Sequence, residues 1–131
     1  FSVRVVFGSL PVFNGFRDAV EHSGELNFGS GLAGFVAGLS RQTVSHNVTI
    51  NNLLPGPFET DRLTSALRYA AEKSGSSFED MHRARSEENP AKRFGNPAEF
   101  GDACAFLCSA QMGYVTGQHF LMDGGSYPGT F

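Results

Sequence analysis

The two cysteines are the residues of this sequence with the most evident redox or metal chemistry. Cys104 and Cys108 stand four positions apart in a segment with helical character, which puts both side chains on one helix face. A metal site there would need further ligands, and His82 and His119 are candidates only by elimination. We therefore interpret the pair as buried core thiols and predict no metal site. Thiols without a disulfide framework favour a reducing compartment, so we expect a cytoplasmic protein.

A glycine-rich stretch opens the first firm helix. Gly29-Ser30-Gly31-Leu32-Ala33-Gly34 has the letters G-x-G-x-x-G, which bind a dinucleotide only when they follow a strand and precede an acidic residue about 20 positions on. This stretch follows a loop and lacks that acidic residue. Each glycine in the helix lowers its propensity by roughly 1 kcal/mol relative to alanine. We interpret the stretch as a glycine-faced packing helix, closely approached by other backbone.

Two further sets of residues could do chemistry. Tyr69 and Lys73 are four positions apart, a spacing that makes them neighbours on the surface of a helix. A hydrolase built from Ser9, His22 and Glu25 lacks a nucleophile-elbow sequence, and we discount it.

Composition and charge exclude several classes of partner. The 131 residues are 40% hydrophobic and 18% charged, with a formal charge of −3. Without a block of Lys and Arg, nothing predicts binding to nucleic acid or to an anionic membrane. No apolar run approaches the ~20 residues that span a bilayer. The length suits one domain, and a chain that begins at Phe1 and enters directly on a strand leads us to expect a fragment.

Strands alternate with helices along the chain. This alternation predicts a parallel sheet with right-handed crossovers, an α/β architecture. Apolar β-branched and aromatic runs predict strands at Ser2–Phe7, Val48–Leu54 and Phe120–Met122. Apolar spacing and capping residues predict helices at Ser30–Ser45, from Thr60 or Asp61 to the break at Ser74, after Ser77, and at Pro97–Ala110, with a short one considered at Arg17–His22.

From Gly34 onward the sequence resembles the C-terminal half of the short-chain dehydrogenases/reductases. The blocks that carry the resemblance follow one another in the family's order. They are Gly34–Arg41, His46–Asn51, Pro55–Thr60, Arg93–Glu99, Tyr114–Gly117 and Asp123–Gly125. The wording Asn51-Asn52-Leu53-Leu54-Pro55-Gly56 and the Tyr127–Phe131 ending are similar to the 3-oxoacyl-carrier-protein reductase-like branch.

The resemblance implies a partial Rossmann-like, doubly wound parallel sheet. It also implies NAD or NADP as the cofactor of the full-length family. In relatives the segment that matches Pro55, Gly56, Pro57, Phe58 and Thr60 flanks the nicotinamide, and the Thr hydroxyl contacts the cofactor. The alternative is that Pro55-Gly56 is a strand-ending turn and Thr60 a helix cap.

The family's catalytic residues do not carry over. It uses a Tyr as general acid with a Lys four residues later, and register without gaps puts Glu25 and Gly29 at those positions. Neither residue type can replace its counterpart. Ser9 stands where relatives carry the Ser that hydrogen-bonds the substrate carbonyl. Tyr69 and Lys73 match Y-x-x-x-K but follow the Pro-Gly block, where the family keeps its substrate-covering helices.

Two functions follow from this sequence. The first is an oxidoreductase fragment, inactive alone, whose full-length relatives act on a small carbonyl or alcohol substrate. The alternative is a non-catalytic interaction protein that associates with itself or with a full-length relative. In both cases we expect a single partial domain with a divergent segment at 1–29, a family-like part at 30–131 and a helical insert at 59–92.

Overall fold

The computed structural model describes residues 3–8 and 27–129, with side chains from residue 33 onward. The predicted roles of Ser9 and Glu25, and the helix considered at Arg17–His22, lie outside the described residues. Along the described chain the elements are β1 (Val3–Gly8), α1 (Asn27–Thr43), a 3-10 turn (Val44–His46), β2 (Val48–Pro55), α2 (Asp61–Ser74), α3 (Phe78–Glu88), α4 (Pro97–Leu107), a 3-10 turn (Ala110–Met112) and β3 (His119–Met122).

The three strands form one sheet in the order β1-β2-β3. β1 and β2 are parallel, with Val3 opposite Val48 and Gly8 opposite Leu53, and α1 lies between them in sequence. A β-helix-β crossover of this kind is the unit of an α/β fold. The predicted α/β class with a parallel sheet is confirmed.

β3 joins β2 through backbone hydrogen bonds near both of its ends. The N–H of Asn52 donates to the carbonyl of Gln118 at 2.8 Å, and the N–H of Gly56 donates to the carbonyl of Met122 at 2.8 Å. Residue numbers therefore rise together along the two strands, as in a parallel pair.

The chain divides into two compact units. One comprises Phe1–Pro55 and Asp102–Leu121, and the other comprises Gly56–Gly101 and Met122–Phe131. The expected division into one domain with a divergent segment and an insert stays a prediction.

Asn51 anchors the first unit from inside the sheet. Its side chain is 1% exposed; the Nδ2 group donates to the carbonyl of Val115 at 3.0 Å and Oδ1 accepts from the N–H of Gln118 at 3.1 Å. Beside it, Thr116 Oγ1 accepts from the N–H of Ile50 at 3.0 Å. The asparagine side chain therefore completes hydrogen bonding that the backbone of this turn leaves open.

A steric constraint explains the glycine that follows Thr116. Gly117 has φ +72, and a Cβ placed on it would lie 2.7 Å from Ser40 Oγ. Its N–H donates to the carbonyl of Ile50 at 2.7 Å. A turn that comes this close to α1 in the left-handed region requires glycine.

One expectation for α1 is wrong, and the close packing expected at its glycines stays a prediction. The apolar spacing of Leu32, Phe35, Val36 and Leu39 predicts one buried stripe. Val36 is fully buried, but Phe35 is 61% exposed. No described residue comes within 4 Å of a Cβ placed on Gly34 or Gly38, so the described residues do not supply the close packing expected there. The periodicity predicted a helix in this segment, but it predicted a wider buried face than the structure has.

α4 begins as predicted and ends earlier. Asn96 Oδ1 accepts from the N–H of Ala98 at 2.9 Å, and Glu99 Oε2 accepts from the N–H of Asn96 at 2.7 Å, as in a capping box. The helix ends at Leu107 rather than Ala110, because the N–H of Ser109 bonds a carbonyl three residues back instead of four.

The expectation of buried thiols is also wrong. Leu107 takes the buried position at the end of α4 with 3% exposure. Cys104 is only partly buried and Cys108 is exposed, because a helix position adjacent to Leu107 points away from the side that Leu107 occupies.

We expect Asn51→Ala to lower the free energy of unfolding by about 1–3 kcal/mol, since two part-buried hydrogen bonds to the backbone are lost at about 0.5–1.5 kcal/mol each. Urea denaturation measures the change. The control is Gln42→Ala on the exposed face of α1, which we expect to stay within about 0.5 kcal/mol of wild type. A similar small loss for both variants would contradict the anchoring role of Asn51.

Candidate functional site

The loop that follows β2 is held against the turn that follows β3. Besides the hydrogen bond from Gly56 to Met122, a Cβ placed on Gly56 would lie 2.5 Å from Cα and 2.6 Å from Cβ of Asp123. No side chain fits in that space. The Pro55-Gly56 pair therefore ends the strand and also permits a close approach of two backbones.

A second backbone contact holds the same loop. Phe58 forms a parallel bridge with Gly95: the N–H of Gly95 donates to the carbonyl of Pro57 at 3.0 Å, and the N–H of Glu59 donates to the carbonyl of Gly95 at 2.8 Å. A Cβ on Gly95 would lie 2.5 Å from the Phe58 ring. Blocks that are almost 40 positions apart in the sequence are thus adjacent in space.

Thr60 is the N-cap of α2. Its Oγ1 accepts from the N–H of Leu63 at 3.3 Å, and its backbone is extended with φ −128 and ψ 161. The cap predicted as the alternative role is therefore present. The cofactor contact of Thr60 stays a prediction. The cap does not conflict with it, because a hydroxyl that accepts one hydrogen bond keeps its own hydrogen as a donor.

His82 links α3 to this loop, a role that sequence reasoning missed. Its Nε2 lies 3.0 Å from Oε1 of Glu59, and its ring meets the ring of Phe94 edge-on at 5.0 Å. Phe94 is 6% exposed. Only the separation of 23 residues between His82 and Glu59 hid the pairing, because no local pattern reports it.

Asn89 holds the turn after β3. Its Nδ2 donates to the carbonyl of Asp123 at 2.9 Å and to Ser126 Oγ at 2.8 Å, while Oδ1 accepts from the N–H of Ala91 at 2.8 Å. A Cβ on Gly124, which has φ +68, would collide with Oδ1 of Asn89. The Asp-Gly-Gly block therefore has a structural reason that the sequence did not reveal.

Arg93 and Glu99 form a two-pronged ion pair in the same unit. The guanidinium donates to both carboxylate oxygens, at 2.8 and 2.7 Å, and the N–H of Asn96 adds a third bond. The Arg93 hydrogen bonds, followed by the one from Asn96, lower the pKa of the Glu99 carboxyl to about 2. Glu99 remains charged at any ordinary pH and cannot act as a general acid.

These blocks surround a cavity of about 160 Å³. Phe58, Arg93, Glu99 and Asp123 are among the residues that line it. Pockets for drug-sized ligands and cofactors have about 300–1,000 Å³. The cavity therefore has room for a small group and not for a dinucleotide.

The structure brings together some of the sequence-predicted site residues. Pro55–Thr60 lies beside Arg93–Glu99 and Asp123–Gly125, while Gly29 lies within α1. Tyr69 is 68% exposed on α2, as expected of a surface residue. Among residues 33–129, no three His, Cys, Asp or Glu side chains are grouped so that they could hold a metal ion. Within the described part of the chain, no helix combines the length and the apolar character that a bilayer crossing needs.

Comparisons with known proteins place the chain. A family model described as enoyl-(acyl carrier protein) reductase matches residues 29–127. The chain belongs to the short-chain dehydrogenase/reductase family. It is 33% identical to the 3-oxoacyl-[acyl-carrier-protein] reductase FabG of Vibrio cholerae over 109 residues, which are 81% of this chain and 40% of that protein. It is 32% identical over 107 residues to the corresponding reductase of Aquifex aeolicus, 79% of this chain and 39% of that one.

Solved structures of the short-chain dehydrogenase/reductase family agree with the fold. A family protein from Francisella tularensis matches with a TM-score of 0.69 and 25% identity over 74% of this chain and 40% of its own. YwfH, an NADPH-dependent reductase involved in bacilysin biosynthesis, matches with a TM-score of 0.74 and 26% identity over 98% of this chain and 48% of its own. The chain spans about 40% of the length of the curated relatives it matches.

We expect Gly56→Ala to destabilise the protein by about 1–3 kcal/mol, because a methyl group there must displace the backbone at Asp123. The matched control is Gly101→Ala in α4, where a Cβ meets nothing within 4 Å, and where alanine is worth roughly 0.5–1 kcal/mol more than glycine. Thermal and urea unfolding measure both. Equal effects of the two substitutions would refute the close approach at Gly56.

We expect the Arg93–Glu99 pair to give a pH dependence at acid pH. Because the pKa of Glu99 is lowered from 4.5 to about 2, its contribution is present above pH 4.5 and is lost as the pH falls towards 2. The effect is small, since the two side chains are 59% and 43% exposed and water screens exposed pairs. The thermal midpoint of Glu99→Gln should therefore change less than that of wild type between these pH values, while Glu72→Gln on α2 should follow wild type. A wild-type profile for Glu99→Gln would contradict the pairing.

Proposed function

We propose that this chain supplies the nicotinamide-flanking part of an NAD(P)-dependent oxidoreductase that reduces a carbonyl or oxidises an alcohol. The observation that carries the proposal is the position of Pro55–Thr60. This segment leaves the carboxyl end of β2, the edge of a parallel sheet where ligands bind in α/β folds. Backbone contacts to Met122 and Gly95 hold it in place.

Thr60 is the residue we assign to the cofactor. Its hydroxyl accepts from the N–H of Leu63 and still offers a hydrogen to a ligand. It stands at the start of α2, a helix of 14 residues whose N-terminus favours a polar or anionic group. The residues present therefore fit a polar part of the cofactor at this point. When bound, the nicotinamide would supply or take the hydride.

Two supports for the cofactor come from relatives. YwfH is an NADPH-dependent reductase, and the curated relatives at 32–33% identity are 3-oxoacyl-[acyl-carrier-protein] reductases. We propose the same cofactor class for the protein that contains this chain. Its substrate would be a small carbonyl or alcohol compound, and its compartment the cytoplasm.

The chain alone lacks what turnover needs. The register puts Glu25 and Gly29 where the family has its Tyr and Lys, and Ser9 where it has a Ser. We propose that no residue of this chain protonates the substrate oxygen at neutral pH, and that tight dinucleotide binding requires a Gly-rich turn that the sequence does not contain. Association with itself or with a full-length relative stays a prediction.

We expect NADPH to perturb the amide resonances of Gly56, Phe58, Glu59 and Thr60 in the ¹⁵N-labelled chain, with a dissociation constant weaker than about 1 mM, or ~4 kcal/mol. Thr60→Asp should abolish the perturbation, because Asp keeps the helix cap but has no hydroxyl donor and adds a negative charge. Thr60→Ser, which keeps both cap and donor, is the matched control.

Two kinds of result would overturn parts of this proposal. Shifts confined to residues outside the loop, or equal shifts in Thr60→Asp and Thr60→Ser, would overturn the assignment of Thr60. A dissociation constant well below 1 mM in calorimetry, or measurable carbonyl reduction by the chain alone, would overturn the proposal that it is inactive by itself.

A further inference from the structure

Cys104 and Cys108 lie side by side at the end of α4. The N–H of Cys108 donates to the carbonyl of Cys104 at 3.0 Å, which continues helical geometry by one residue past Leu107. Residues four apart in a helix are neighbours on its surface. Cys108 is exposed and Cys104 is partly buried, so a small reagent in solution can reach the pair.

A direct disulfide does not fit this spacing. Residues four apart on a helix have Cβ atoms about 5–6 Å apart, whereas a disulfide needs roughly 3.5–4.5 Å. An atom bonded to both sulfurs at about 2.3 Å each spans the larger gap without unwinding the helix. The geometry therefore favours a bridged dithiol over an oxidised pair.

The residues around the two thiols restrict which element could bridge them. Structural zinc requires four ligands, and the described residues offer no group of three or more His, Cys, Asp or Glu side chains placed for a metal. Soft thiolates bind Cu(I), zinc and iron–sulfur clusters, and of these Cu(I) is the one that two sulfur ligands can hold. The sequence contains two cysteines only, so a two-thiolate site uses all of them.

We propose that Cys104 and Cys108 form a two-coordinate site for a soft, thiophilic ion of the Cu(I) type. On binding, two S–H bonds break, two metal–sulfur bonds form and two protons are released to solvent. The metal keeps its oxidation state, so the step requires no oxidant or reductant. This site is independent of the oxidoreductase proposal and replaces the sequence-based expectation that these thiols have no metal role.

Titration of the reduced chain with Cu(I) against a chromophoric Cu(I) chelator tests the proposal. We expect one Cu(I) per chain, and about 10²–10⁴-fold weaker binding in Cys104→Ser and in Cys108→Ser, because each variant loses the second, intramolecular contact. Circular dichroism establishes that the variants keep their helices.

A variant with two thiols in the wrong places is the matched control. The double substitution Cys108→Ser/Ala105→Cys keeps two cysteines but moves one to an exposed neighbouring position, and residues one apart on a helix do not face each other. We expect it to bind Cu(I) like the single-thiol variants. Binding as tight as wild type in this control, or wild-type binding no tighter than that of Cys108→Ser, would overturn the site.

Phenylarsine oxide gives a second readout that does not involve copper. It condenses with two thiols, forming two As–S bonds and releasing one water. Intact-mass analysis should show one such adduct on wild type that survives excess monothiol, and none that survives on either Ser variant. Loss of the wild-type adduct to monothiol would show that the sulfurs cannot be bridged, and would sink the proposal even if the copper titration were positive.

Discussion

The central strand β2 imposes the main constraint on this structure. It hydrogen-bonds β1 along one edge and β3 along the other, and its residues from Thr49 to Leu53 are all buried. A polar side chain buried on such a strand costs free energy unless it finds a hydrogen-bond partner inside the protein. Asn51 meets this demand by bonding both the carbonyl of Val115 and the N–H of Gln118. The turn before β3 is therefore shaped around one asparagine side chain.

The second constraint is that several backbone segments approach each other too closely for a side chain, and glycines satisfy it. Gly117 and Gly124 have positive φ, and Gly56 and Gly95 lie where a Cβ would overlap an atom of another segment. A methyl group at any of them must shift a neighbour. These positions fall within the sequence blocks that resemble the family, so much of that resemblance reports contacts that build the fold.

Gly56–Thr60, Arg93–Glu99 and Asp123–Gly125 lie in one unit, and a family model matches across all of them. The match of these blocks to the family model establishes family membership, because the contacts between the blocks depend on the residue types that match. Catalysis depends on other positions, and the ungapped register predicts that Glu25 and Gly29 correspond to the family's acid and its lysine. Fold and activity are therefore separate questions in this chain, because different residues carry them.

The sequence by itself determined the features that depend on neighbours within one helical turn or one strand. The cap formed by Asn96, Pro97 and Glu99 and the runs that form β2 and β3 are of this kind, because local backbone preferences decide them. Tertiary structure alone decided which side of an element is buried and which distant groups pair. Phe35 on α1 is exposed and His82 meets Glu59 because packing partners far away in sequence set those contacts, and no spacing within one segment encodes them.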